Sequence, residues 1–224
     1  SESLVPFRWN GIQRYLDRKL EKQREEQGKV RALILKARQL GVSTYVGVRY
    51  YRRTSLWMSK STYILTHEDQ ATQNLFGMAK RVHDNIPEDY RPRATMNNAN
   101  ELQFGLMDSG YRVGTAKNIS GLGRSQTIQN FHGSEVAFWP QAQVHFGGVM
   151  QAVPDLPGTE IILESTANGV GGVFYEQWHL AERGLSEFIP IFLPWYWAEE
   201  YRRPLPAGWE PSPEEATYGE LFNL

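Results

Sequence analysis

The residues best suited to chemistry near the start of the chain are a lysine, a glycine and two hydroxyl residues that follow one another closely. An apolar run ends at Lys36, and the residues after Gly41 have the pattern of a helix. A glycine-containing loop between a strand and a helix presents backbone N–H groups to an anion, and a hydroxyl group after it can reach Mg²⁺. The stretch therefore predicts a phosphate-binding loop made of Lys36, Gln39, Leu40, Gly41, Val42, Ser43 and Thr44.

This loop departs from the usual phosphate-loop motif in the position of its lysine. The motif has a lysine directly after its second glycine, whereas this chain has Val42 there and Lys36 at the place of the first glycine. The flexible stem of Lys36 can bring its ammonium group to the same phosphates from the other side of the loop. Spacing alone leaves a second interpretation open, which is an ordinary turn between a strand and a helix.

A strand-like segment further along, residues 127–132, leads to Ser134 and Glu135. In phosphate-loop ATPases the strand beside the phosphate loop ends in two acidic residues. The first holds Mg²⁺, and the second orients or deprotonates the attacking water. Here Ser134 replaces the first acid, so we predict Glu135 as the catalytic residue and Ser43, Ser134 and Glu135 as metal ligands. The alternative is a glutamate at a strand end that faces solvent.

A third segment, residues 160–172, joins an apolar strand to small polar residues. Ligands of open α/β sheets bind at the carboxyl ends of the strands. Thr166 and Asn168 are therefore predicted to contact the nucleotide and to sense its γ-phosphate. The pair Asn168 and Gly169 is equally typical of a simple turn.

Two residues before the phosphate loop could recognise the base of a nucleotide. An aromatic ring such as Phe7 can stack on adenine, and the amide of Gln13 can donate to N7 and accept from N6 of adenine. The alternative is an amphipathic N-terminal helix with an aromatic anchor.

Several arginines are candidates for contacts with phosphate. Arg124, in a glycine-rich turn, is predicted as an arginine finger that acts from a neighbouring subunit, and Arg38 is its rival or a γ-phosphate sensor. A surface arginine is the alternative for both. Candidate DNA contacts, equally compatible with a solvated face, are Arg49, Arg52, Arg53 and Arg91.

The elements that must position these residues alternate between strands and helices, which predicts an α/β fold of three layers with a mostly parallel central sheet. At the start of one helix, Thr66 and Asp69 predict a capping box. The chain has 224 residues, a net charge of −1 and no cysteine. This composition excludes a disulfide framework, a thiolate metal site and a strong global attraction to nucleic acid. No apolar run approaches the roughly 20 residues of a membrane span.

Three strings in this order, KARQLGVST, SEVAFW and ESTANG, resemble the phosphate loop, acidic motif and coupling motif of one family. That family is the ATPase domain of the large terminase subunit of tailed bacteriophages and prophages, a P-loop NTPase of the RecA-like type. The resemblance implies an ATP-hydrolysing motor that uses Mg²⁺ and translocates double-stranded DNA into a procapsid. It also implies portal protein and small terminase subunit as partners, a homo-oligomeric ring of five subunits, and a place in the host bacterial cytoplasm but not in the mature virion.

The resemblance also predicts how the chain is divided. Residues 1–28 are expected to form an adenine-side lid, residues 29–200 the ATPase core, and residues 201–224 a linker toward a nuclease domain that this chain lacks. Two other functions stay open at this point. One is another nucleic-acid-dependent ATPase of helicase type, and the other is a non-hydrolysing assembly module with a degenerate nucleotide site.

Overall fold

The computed structural model describes residues 7–117, 127–201, 203–206 and 208–222, apart from a few side chains in the last helix. Its described strands form one eight-stranded sheet in the order β3-β4-β5-β2-β6-β7-β1-β8. The strands are β1 Val30–Lys36, β2 Ser61–Thr66, β3 Met96–Asn97, β4 Glu101–Phe104, β5 Ser109–Thr115, β6 Asn130–Ser134, β7 Glu160–Ser165 and β8 Ile189–Leu193. The helices are α1 Gly11–Gln27, α2 Val42–Leu56, α3 Asp69–Asn85, α4 Ala142–Ala152, α5 Gly172–Glu182 and α6 Pro213–Phe222.

Apolar residues alternate along the central strands and fill a core on each face of the sheet. On β1, Ala32 and Ile34 pack with α1, α2 and α3, whereas Leu33 packs on the opposite face with α4 and α5. Strands that are buried on both faces explain the near-continuous apolar runs in the sequence. The predicted α/β fold with three layers and a mostly parallel sheet is therefore confirmed.

The order of the central strands differs from the expectation in one respect that matters for the site. β1 lies between β7 and β8, and β6, which carries the acidic motif, lies on the far side of β7. The expectation that β6 would lie directly beside the phosphate-loop strand was therefore wrong. All of these pairings are parallel, so the carboxyl ends of β1, β7 and β6 meet at one edge of the sheet.

The predicted capping box at α3 is also wrong. Thr66 is still the last residue of β2, and its hydroxyl group bonds to Thr72 Oγ1 and to the backbone oxygen of Glu68. The helix instead starts after Glu68, whose side chain makes no capping bond. A capping box does occur at α1, where Asn10 and Gln13 bond reciprocally. In the part of the chain that the structure describes, no helix is long and apolar enough to cross a membrane.

Candidate nucleotide site

Side chains from three strand ends converge on the face of the sheet that α2 covers. Glu164 of β7 is in register with Ile34 of β1 on one side and with Ser134 of β6 on the other. Residues in register on parallel neighbours project to the same face, and so do residues two apart on one strand. Lys36, Glu164 and Ser134 therefore share this face, next to the N-terminus of α2.

Lys36 forms two ion pairs at the centre of this group. Its Nζ lies 2.9 Å from Glu135 Oε1 and 3.0 Å from Glu164 Oε2, and its side chain is only 8% exposed. Burial works to lower the pKa of Lys36, but the two carboxylates outweigh it and the pKa is raised above its ordinary value. Lys36 is thus held as a buried cation beside the phosphate loop, as the displaced lysine of a phosphate site requires.

Glu164 is a fully buried carboxylate that sequence reasoning missed. Its Oε1 accepts a hydrogen bond of 2.6 Å from Ser43 Oγ and lies 3.3 Å from His132 Nε2. Burial would raise its pKa, but the hydrogen bond with His132 and the charge of Lys36 lower it to about 2. The sequence did contain a pattern that could have identified it, namely a charged residue at a buried position of a largely apolar strand. A carboxylate in such a position needs partners that compensate its charge.

Glu135 follows β6 in a left-handed backbone conformation, with φ of 53°. Its Oε2 accepts hydrogen bonds from the backbone N–H and the hydroxyl group of Thr166, each 3.1 Å long. Its other oxygen faces Lys36. The predicted water-positioning residue is therefore fixed between the phosphate-loop strand and the end of β7. Ser134, the last residue of β6, is buried beside it.

The loop between β1 and α2 turns through two left-handed residues, Gln39 with φ of 57° and Gly41 with φ of 75°. The left-handed backbone of Gly41 favours glycine, and a Cβ there would lie 2.7 Å from Gln13 Nε2, so that a larger residue would also have to displace the Gln13 amide. Val42, at the place of the usual lysine, is buried in the core. A lysine there would lose its hydration, which fits the displacement of the positive charge to Lys36.

The predicted adenine-reading residues have different surroundings. The amide of Gln13 is buried, donating to the backbone oxygen of Gly41 at 2.8 Å and accepting from the backbone N–H of Asn10 at 3.0 Å. In this structure Gln13 therefore connects α1 to the phosphate loop. Its amide would have to break both hydrogen bonds in order to reach a base. The ring of Phe7 is exposed.

A cleft of ≈ 360 Å³ opens beside these groups. It is lined by Lys36, Arg38, Gln39, His67, Glu135, Phe138 and Thr166. Arg38 is exposed at its rim, and the backbone oxygen of Arg38 accepts a hydrogen bond of 2.7 Å from Tyr201. Arg124, the other predicted finger, lies outside the described residues.

Asn168 does not join this group of side chains. Its Nδ2 donates to the backbone oxygen of Ala137 at 2.9 Å, which ties the loop after β7 to the turn after Glu135. Thr44, on the first turn of α2, bonds to Met78 rather than to the cleft residues. Of the predicted polar side chains, Lys36 and Thr166 each contact Glu135, on different carboxylate oxygens. Ser43 joins this group through Glu164, which also pairs with Lys36.

Two of the arginines considered for DNA are engaged inside the protein. Arg49 makes two bonds of 2.8 Å to the buried Glu160 and a further pair with Glu21. Arg53 also pairs with Glu160. Burial would lower the pKa of Arg49, but the Glu160 carboxylate raises it above its ordinary value. Neither residue forms the solvated face that was the alternative, whereas Arg52 is exposed and stacks over Trp57.

The donors near the phosphate loop are those that Mg²⁺ prefers, namely hydroxyl and carboxylate oxygens. Within the described ranges, no three His, Asp or Glu residues are placed to hold a metal by themselves. Mg²⁺ commonly uses one or two protein carboxylates and completes its shell with substrate phosphates and water. The predicted ligands Ser43, Ser134 and Glu135 fit a metal that arrives with a nucleotide.

Comparison with solved structures places this geometry in a known fold. The large terminase ATPase domain of Thermus phage P74-26 aligns with a TM-score of 0.60 at 16% identity, over 84% of this chain and 81% of that one. The fold is that of a phage large terminase ATPase domain. The large terminase of HK97 bacteriophage aligns with a TM-score of 0.66 at 11% identity, over 94% of this chain. That of a thermophilic bacteriophage, in complex with ADP, aligns at 0.58 and 11% identity over 83% of this chain.

The chain spans less than half of two of these proteins, 42% of the HK97 terminase and 45% of the ADP complex. No protein-family model and no curated protein matches it.

Proposed function

We propose that this chain is the ATP-hydrolysing motor domain of a viral large terminase, which moves double-stranded DNA into a procapsid. The observation that carries the proposal is the contact of Lys36 with Glu135 at the phosphate-loop edge of the sheet. This contact brings together Lys36, the cation expected to bind phosphate, and Glu135, the acid expected to position water. The shared fold with terminase ATPase domains supports the same conclusion.

The phosphate loop holds the β- and γ-phosphates of ATP in this proposal. Backbone N–H groups of the loop and of the first turn of α2 would donate to these phosphates, at the helix end whose dipole favours negative charge. Lys36 supplies the positive charge. Mg²⁺, when bound, neutralises charge on the phosphate oxygens, and Ser43, Ser134 and Glu135 would hold it.

Glu135 acts on the attacking water. In the structure its carboxylate is paired with Lys36 and Thr166. Phosphates that attract Lys36 free one carboxylate oxygen to orient the water or accept its proton. Thr166 stays bonded to the other oxygen and connects the chemistry to the end of β7, so that loss of the γ-phosphate is transmitted to the segments that move DNA.

An arginine completes the transition-state site, supplied either by Arg124 of a neighbouring subunit or by Arg38 at the rim of the cleft. This role implies a homo-oligomeric ring, with portal protein and small terminase subunit as further partners in the host cytoplasm. Residues 1–28 serve as the adenine-side lid, 29–200 as the ATPase core and 201–224 as the link to a separate nuclease domain.

Calorimetry with a non-hydrolysable ATP analogue and Mg²⁺ tests the proposal. Wild type should bind, and Lys36→Ala should weaken binding by about 10- to 100-fold, because one charge-assisted contact is lost. The matched control is Lys22→Ala on the solvent face of α1, whose side chain is 71% exposed. Near-ultraviolet circular dichroism checks that each variant is folded.

Wild-type chain that binds no nucleotide, either alone or assembled on procapsids, would overturn the ATPase and favour the non-hydrolysing assembly module. Nucleotide hydrolysis that drives strand separation but never DNA uptake would favour the helicase-type alternative.

A further inference from the structure

The acidic motif of this chain lacks the carboxylate that usually serves the metal, since Ser134 stands at its place. The structure provides a carboxylate in the adjacent position. Glu164 is in register with Ser134 on the neighbouring parallel strand, and it projects to the same face. Because β7 lies between β6 and β1, Glu164 is also one strand nearer to the phosphate loop.

Glu164 is bonded directly to the hydroxyl group of the predicted phosphate loop. Ser43 Oγ, the predicted metal ligand, donates to Glu164 Oε1 at 2.6 Å. Glu164 Oε2 is buried and accepts no well-aligned hydrogen bond among the described residues, although Lys36 Nζ lies 3.0 Å from it. The side chain is 0% exposed, so the fold keeps a charged oxygen without full compensation beside the helix start.

We propose that Glu164 supplies the carboxylate missing at Ser134 and binds, with Ser43, the metal ion that accompanies the nucleotide. The inference rests on the proposed function, because the metal arrives with ATP. A hydroxyl and one carboxylate are a donor set that Mg²⁺ accepts when phosphates and water complete the shell. Lys36, which in the structure is shared between Glu164 and Glu135, would then be available to the phosphates.

A purely structural role is the competing explanation, in which Glu164 only neutralises Lys36 inside the protein. The two roles differ in what Glu164→Gln does. This variant has nearly the same shape and can still accept a bond from Ser43, but it removes the charge that a metal needs. A structural role predicts lower stability with unchanged metal affinity, whereas the metal role predicts a specific loss of metal affinity.

Electron paramagnetic resonance of Mn²⁺, with a non-hydrolysable ATP analogue at saturating concentration, measures this affinity without any turnover. We expect Glu164→Gln to weaken Mn²⁺ binding by about 10- to 100-fold. Metal-free nucleotide affinity should be retained or tighter, because a negative charge near the phosphates is removed. The control is Glu25→Gln on the exposed face of α1, which should bind Mn²⁺ as wild type does.

A second variant tests directly whether Glu164 takes the place of the missing acid at position 134. Adding Ser134→Asp to Glu164→Gln puts a carboxylate back at the usual position, and we expect it to recover Mn²⁺ affinity. If Glu164→Gln does not fold, Glu164→Asp keeps the charge but withdraws it by one methylene, and a partial loss of Mn²⁺ affinity is expected.

Wild-type Mn²⁺ affinity in whichever Glu164 variant folds would overturn the inference, and so would a double variant that folds and binds nucleotide but does not recover the affinity. Absence of nucleotide binding to wild type, with or without metal, would instead overturn the proposed function.

Discussion

Thr166 holds the carboxylate of Glu135 through two groups at once, its backbone N–H and its hydroxyl, both 3.1 Å from Oε2. The two residues directly follow the neighbouring strands β6 and β7. The acid proposed to act on water is therefore oriented by the loop proposed to relay the result.

Removing the hydroxyl group of Thr166 should slow hydrolysis without weakening nucleotide binding. In Thr166→Val the backbone N–H still bonds to Glu135, but the bond from the hydroxyl group is lost, worth about 1.5–3 kcal/mol when the acceptor is charged. The corresponding decrease in kcat is about 10- to 100-fold, measured by steady-state phosphate release. Thr166→Ser keeps the hydroxyl group and should remain close to wild type. Equal kcat for the valine variant and wild type would contradict the orienting role.

Glu135→Gln should nearly abolish ATP hydrolysis while leaving the site able to bind. General-base catalysis contributes about 10²- to 10⁴-fold, and an amide cannot take the proton from water. Single-turnover hydrolysis measures the loss, and binding of the analogue serves as the control. A variant that retains most of its turnover would assign the base to another residue.

Arg49→Ala should destabilise the fold rather than release a DNA contact. Glu160 is 1% exposed and loses two bonds with Arg49, which leaves Arg53 as its remaining charged partner. Breaking a buried ion pair costs up to about 3–5 kcal/mol. Arg52→Ala, three residues further along α2, removes an exposed stacking contact and should cost less than about 1 kcal/mol. Urea unfolding measures both free energies. Comparable stability of the two variants, with DNA affinity lost only in Arg49→Ala, would be evidence against the internal role.

Lowering the pH should show how much the ionised Glu164 contributes to the stability of the fold. Its pKa in the folded protein is lowered to about 2 from an ordinary value of 4.5. The stability that it contributes is thus present above pH 4.5 and is lost as the pH falls toward 2. The free energy of unfolding of wild type should therefore fall more steeply over this window than that of Glu164→Gln. Parallel curves from urea unfolding at each pH would show that Glu164 does not contribute in this way.

Gln13→Ala should weaken binding of ATP and GTP by the same factor. Both polar groups of the Gln13 amide bond to the protein, so the change loosens the phosphate loop rather than removing a contact to the base. Competition binding with the two nucleotides measures the ratio of affinities. Selective loss of ATP affinity would instead support the original prediction that Gln13 reads adenine.

Local patterns predicted the parts of the site that lie within one segment. The apolar run before Lys36 and the left-handed position of Gly41 are set by neighbouring residues, so the strand, loop and helix were predictable. The position of Glu135 after a strand was predictable for the same reason.

Partners that come from distant strands were not predictable. The strand order that sets Glu164 against Ser43 and Ser134 is decided by packing of the whole sheet. Arg49 looked like a surface residue because its partner, Glu160, is more than one hundred positions away in the sequence. The amide of Gln13 has the chemistry of a base reader, and only the three-dimensional arrangement shows that it bonds to Gly41.

The strand that leads into the phosphate loop, β1, lies near the N-terminus, but the strands that pair with it lie much further along the chain. Both neighbours of β1 in the sheet, β7 and β8, begin only at residues 160 and 189. During synthesis, more than half of the chain must therefore be made after β1 before either edge of β1 can pair with its neighbour. Such long-range parallel pairing is slow and leaves strand edges open to wrong partners. The strand that carries the phosphate loop is therefore the part of the sheet whose edges stay exposed longest during folding.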